Sequence, residues 1–149
     1  MVTEVEIPWA RLGPRVEWKS GSSGAWSFGR HYAPEIATIV RAAAETAPTL
    51  VENTLVITEG WRPGVPQASL HPACKAVDIR AIDDAMRPGA IVGEDDAQKL
   101  LYGARWATRL REKLGTDYDV VFGPPNHLNH IHIERDVKRR PYRPVKEGE

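Results

Sequence analysis

Cysteine is almost missing from this chain. Cys74 is the one thiol, so no internal disulfide can form, and a reducing compartment of synthesis is compatible with that. There is no surplus of charge: 20 basic residues balance 20 acidic ones. No net positive field exists to hold nucleic acid or an anionic membrane, so neither is an expected partner. No apolar run approaches the roughly 18 residues that a membrane helix needs. The N-terminus, Met1-Val2-Thr3-Glu4-Val5-Glu6-Ile7-Pro8, carries acids where a signal peptide needs positive charge, and it has no apolar h-region. The expectation is a chain made in the cytoplasm, not secreted by that route, and mature at its full length. No internal repeat and no low-complexity segment is present.

What is present suits one globular domain. The chain has 149 residues, 42% apolar and 27% charged, enough for a single core. Residues 1–33 read as an irregular segment packed on the domain, because Pro8, Gly13, Pro14 and Ser20-Gly21-Ser22-Ser23-Gly24 interrupt it. Its tryptophans, Trp9, Trp18 and Trp26, are expected to pin it to the core. Residues 34–137 make the domain proper. Residues 138–149, with Lys138-Arg139-Arg140, form a basic solvated tail.

Within the domain, apolar spacing predicts two main helices. The first is 34–47, with Ile36, Ile39, Val40, Ala43 and Ala47 on one face and Pro48 ending it. The second is 94–114, with acids at its start, Gly115 as its cap, and a buried stripe of Ala97, Leu100, Leu101, Ala104, Ala107, Leu110 and Leu114. Gly103 inside it costs roughly 1 kcal/mol against alanine, which close packing on the sheet would explain. Strands are predicted at Thr54–Thr58, Ala76–Arg80, Tyr118–Phe122 and His130–Glu134. Loops are predicted at 59–67 and 81–93. This order implies an α+β domain with a small, mostly antiparallel sheet.

The chemistry concentrates in two places. All histidines except His31 fall either at His71, shortly before Asp78, or in His127-Leu128-Asn129-His130-Ile131-His132-Ile133. Side chains alternate along a strand, so His130, His132 and Glu134 share one face, and Asp78 shares one with Ala76 and Arg80, opposite Val77 and Ile79. If the two strands are neighbours, Asp78 meets a histidine of the pair, and His71 closes a third corner. Two nitrogens, one oxygen and an open position is the donor pattern of a catalytic zinc. Hydrogen-bonded polar residues on a solvated face are the plain alternative.

The stretch Ser69-Leu70-His71-x-x-Cys74-x-Ala76-Val77-Asp78-Ile79 resembles the Ser-x-His-x-x-Gly-x-Ala-x-Asp motif of a zinc-peptidase superfamily. That superfamily includes D-alanyl-D-alanine carboxypeptidases, phage L-alanyl-D-glutamate endolysins, the penicillin-insensitive murein endopeptidase and the hedgehog domain. The resemblance runs from about Val51 to Ile133. It implies a single Zn²⁺ held by His71, Asp78 and His132. It implies that Arg62, in Thr58-Glu59-Gly60-Trp61-Arg62, holds a substrate carbonyl or carboxylate, with Gln67 beside it. The implied substrate is a peptidoglycan stem peptide or another peptide with D-residues, acted on by a monomer, with a phage-encoded lysin as the implied setting.

The chain departs from the family at three positions. Cys74 replaces the motif glycine, and Asn126 and Asn129 stand where family members carry an acidic general base. An amide cannot accept a proton at neutral pH. His127-x-x-His130-x-His132 instead matches the murein endopeptidase branch, which implies His127 as the base and His130 as a group that orients water or stabilises an oxyanion. Glu59 and Glu134 are further carboxylates in reach. The second expectation is a zinc-binding pseudoenzyme on the same fold, and a hydrolase of some non-murein substrate is a third.

Overall fold

The structure is a computed structural model that describes residues 9–10, 13–19, 34–59, 76–124 and 127–135. Arg62, Gln67, His71, Cys74, Trp26, Asn126, the 59–67 loop beyond Glu59 and the basic tail lie outside the described residues. The elements are β1 (Arg15–Trp18), α1 (Pro34–Thr46), β2 (Thr54–Glu59), β3 (Ala76–Arg80), α2 (Asp96–Leu114), β4 (Tyr118–Gly123) and β5 (His127–Arg135). They build an α+β domain around one five-stranded sheet in the order β1-β2-β3-β5-β4. β1 runs parallel to β2, and every other neighbouring pair is antiparallel.

Both helices share one core with the apolar face of the sheet. Ile36, Ile39, Val40, Ala43 and Ala47 of the first helical stretch are buried, as their spacing predicts. They meet Leu55, Ile57, Val77, Ile79, Ile131 and Ile133 from the central strands. Trp106 of α2 is fully buried between the helices. Its indole N–H donates to Thr46 Oγ1 at 3.1 Å, and the Thr46 hydroxyl donates in turn to the Ala42 carbonyl at 2.8 Å. The polar atoms that this packing buries are therefore bonded, as a low-dielectric interior requires.

The C-terminal cap of α2 is the predicted Gly115, and the helix starts at Asp96, two residues later than predicted, with one of the expected acids as its N-cap. Asp95 is the N-cap and accepts from the Gln98 amide at 2.8 Å, and Gly115 caps the C-terminus at φ 86°. Its buried stripe differs from expectation. Tyr102, Gly103, Trp106, Ala107 and Leu110 are buried, while Leu100 is exposed along with Ala97 and Ala104. Burying two aromatics removes far more apolar surface from water than burying two alanines and a leucine. The helix is turned accordingly.

Two further expectations are corrected. Residues 1–33 are not irregular throughout, because Arg15–Trp18 adds a strand to the sheet edge. Val16 and Trp18 point inward at period two and pack on the core. Trp9 also packs there, under the Arg109 guanidinium at 4.1 Å, so both described tryptophans of this segment act as pins. β5 begins at His127, not His130, because His127 pairs with Gly123 across a register shift.

Gly103 is explained by a close approach. A Cβ there would lie 2.3 Å from Cζ of Phe122 on β4. We expect Gly103→Ala to destabilise the protein by about 1–3 kcal/mol through overpacking. In a Phe122→Ala background the same change should stabilise by the roughly 1 kcal/mol of helix propensity. Urea unfolding of the four proteins in this double-mutant cycle reads the sign reversal, and additivity would refute the contact.

Candidate metal centre

The register between β3 and β5 sets the site. Asp78 stands opposite His132, Arg80 opposite His130, and Ala76 opposite Glu134. Ile79 opposes Ile131 and Val77 opposes Ile133 on the core side. The apolar residues bury one face, so the intervening polar residues must occupy the other.

His132 is bound on both ring nitrogens. Nδ1 lies 2.7 Å from Asp78 Oδ1, and Nε2 lies 2.7 Å from Glu134 Oε1. An ionised carboxylate only accepts, so these two contacts favour the ring protonated on both nitrogens. Burial alone disfavours that charge, but the hydrogen bonds from His132 to Asp78 and Glu134, with their attraction, outweigh it. The net effect raises the His132 pKa above its ordinary value.

His130 sits beside this pair. Its Nε2 lies 4.0 Å from Asp78 Oδ2, and its Nδ1–H donates to Asn129 Oδ1 at 2.6 Å. Asn129 therefore fixes the ring of His130. The His127 ring is 5.2 Å from that of His130 and 6.3 Å from that of His132, centre to centre. The second histidine cluster thus converges as its spacing suggests.

β2 supports the other side. Ile57 opposes Ile79 while Glu59 opposes Asp78, so β2 bulges at Thr58. The Thr58 hydroxyl donates to the Asp78 carbonyl at 3.3 Å. Bulges of this kind re-aim a strand end.

Asp78 and His132 supply two donors, one oxygen and one nitrogen, of the types that zinc takes. Tetrahedral zinc with bonds of about 2.0–2.2 Å needs donors about 3.3 Å apart. Asp78 Oδ1 and His132 Nδ1 face each other at 2.7 Å, so a small withdrawal of the carboxylate would admit an ion. Glu134 on the far nitrogen is the carboxylate that metal-bound histidines commonly use to fix their tautomer. Among the described residues, no group of three histidine, cysteine or acidic side chains is placed to share an ion. His71, the predicted third ligand, lies outside them. Arg62 and Gln67 likewise have no described position against the site.

A cleft of about 240 Å³ opens next to Asp78 and His130, and Lys19, Thr58, Arg80, Ile82, Asp83, Arg87 and Asn129 complete its lining. Arg80 is 8% exposed, and its guanidinium donates to the Pro88 carbonyl at 2.7 Å. Burial first, and then repulsion from Arg87, lower its pKa, with Asp83 acting the other way. The hydrogen bond from the Arg87 side chain, which outweighs burial, draws the Asp83 carboxyl down to about 2 with help from backbone amides. The sequence placed Arg80 on the Asp78 face, but Lys19 arrives only through β1. A larger groove of about 480 Å³ adjoins, and Ile82, Asp83, Arg87 and Asn129 line both.

The raised His132 pKa has a definite consequence for metal-free protein. Stability contributed by its imidazolium is complete below about pH 6.5, the unfolded value. It is lost as pH rises through the higher folded value. Urea unfolding in chelator from pH 5.5 to 8.5 should show wild-type stability falling relative to His132→Gln. A constant difference between the two would contradict the hydrogen-bonded imidazolium.

Comparison with known proteins gives no match: no family model, no curated protein and no solved structure matches the chain.

Proposed function

We propose that the chain is a zinc-dependent peptidase that hydrolyses peptidoglycan stem peptides or related D-residue peptides, on a fold of the hedgehog and D-alanyl-D-alanine carboxypeptidase kind. The observation that carries this reading is Asp78 paired at 2.7 Å with His132, which is backed by Glu134, inside the His71–Asp78 motif. Asp78, His132 and His71 would hold the ion. Zinc in such a site lowers the pKa of a water toward neutrality and polarises a carbonyl.

The residues around it have separable tasks. His127, beside His130 and His132, takes the proton of the attacking water and later returns it to the leaving amine. His130 is oriented by Asn129, and its ring would act on the oxyanion. Arg62 and Gln67 would hold the substrate carbonyl, as the resemblance implies. No helix among the described residues is long and apolar enough to cross a membrane.

A second reading, a zinc-binding pseudoenzyme, is favoured by one observation. Asn129 is engaged with His130, and Glu134 with His132, so neither acts as an acidic base. Incubation with purified muropeptides separates the two. The peptidase releases new amino groups in a chelator-sensitive way, and His127→Ala lowers that rate by about 10²–10⁴-fold while keeping its zinc. Stoichiometric zinc with no turnover on any muropeptide supports the pseudoenzyme.

A further inference from the structure

The larger groove, of about 480 Å³, has no part in the chemistry above. It opens where the β3–β5 ladder runs out. The Ile82 amide donates to the Leu128 carbonyl at 3.1 Å, so these two residues continue the pairing one step beyond Arg80 and His130. Leu100 of α2 enters the lining from the other side. It is the leucine left in water when α2 turns to bury Tyr102 and Trp106. Leu100 is 37% exposed and Leu128 36%. A single exposed leucine is ordinary on a protein surface, but apolar side chains from three chain segments that meet in one groove mark a contact site.

The charges around these residues choose the partner. Among the described residues, the lining sets Asp83, Asp84 and Asp96 against the cation Arg87, and Arg87 is already bound to Asp83 at 2.8 Å. Asp84 and Asp96 are exposed, and among the described residues their carboxylates have no hydrogen bond or ion pair. Lys99, the first cation of α2, turns its ammonium to the Met86 sulfur at 3.4 Å. The groove therefore sets an apolar strip beside negative charge that nothing described offsets. Nucleic acid and anionic lipid carry the same sign as these acids and are repelled. The volume falls within the roughly 300–1,000 Å³ of common binding pockets, so whole side chains enter it.

We propose that this groove docks a protein partner through a basic amphipathic helix. Apolar side chains of the partner lie on Ile82, Leu100 and Leu128, and its lysines or arginines meet Asp84 and Asp96. Burial of the leucines supplies the affinity, and the acids select the sign of the partner and speed the encounter. The inference does not depend on a metal or on the peptidase reading. Asn129 lines the same groove and holds His130, so a seated helix also reaches the residue that orients that ring.

The test is an NMR titration of the full, isotope-labelled chain with a short synthetic helix of leucine and lysine. A leucine–glutamate helix and a lysine–serine helix are the controls. The leucine–lysine helix should bind saturably, shift the amides of Asp84, Leu100 and Leu128, and bind roughly tenfold or more tightly than either control. Leu100→Ser should weaken it about threefold or more. Asp84→Asn combined with Asp96→Asn should weaken it at low salt and make no difference at high salt. All three positions are exposed, so these variants keep the fold, and their urea midpoints check that they do. No saturable binding, equal binding of the leucine–glutamate helix, or binding unchanged by Leu100→Ser overturns the proposal. Sedimentation of the protein alone covers the other occupant: a dimer that Leu100→Ser dissolves assigns the groove to a second copy of the chain and overturns it too.

Discussion

The antiparallel pairing of β3 with β5 is the constraint on which the site depends. Ile79 against Ile131 and Val77 against Ile133 are fully buried pairs. A slip of β5 by one residue would expose Ile131 and Ile133 and bury His130, His132 and Glu134 instead. Hydrophobic burial on the helix side therefore fixes the polar geometry on the other side. Asp78 meets His132 because the isoleucines and the valine cannot do otherwise.

That polar face is held in tension between charge and burial. His132 is mostly withdrawn from water and accepts its charge only because two carboxylates grip it. A divalent ion on Nδ1 would take the place of the proton and leave the Glu134 hydrogen bond intact, so the same three side chains serve both states. Arg80, on the same face, is a buried cation whose hydrogen bond goes to the neutral Pro88 carbonyl, with Asp83 acting on its charge.

Much of this was legible in the chain itself. Period-two alternation placed β3 and β5, and the helical spacing of Ile36, Ile39, Val40 and Ala43 placed the buried face of α1. Asp95 and Gly115 marked the ends of α2. The errors have physical causes. Arg15-Val16-Glu17-Trp18 alternates too, but it is short and flanked by Gly-Pro and Ser-Gly punctuation, and its pairing with β2 is a non-local fact. The face of α2 was read from leucines and alanines, when Tyr102 and Trp106 had more area to bury. The hold of Asn129 on His130 depends on side-chain rotation, which no spacing rule reveals.

The account stands or falls on whether Asp78 and His132 bind a metal together. Zinc content and affinity, measured on purified wild type and three single variants, test this directly. One ion per chain is predicted for wild type, with loss in Asp78→Ala and in His132→Ala. Glu134→Gln should retain the ion at an affinity about 10–100-fold lower. Wild-type protein that binds no zinc, or zinc retained at full affinity in both ligand variants, would contradict it.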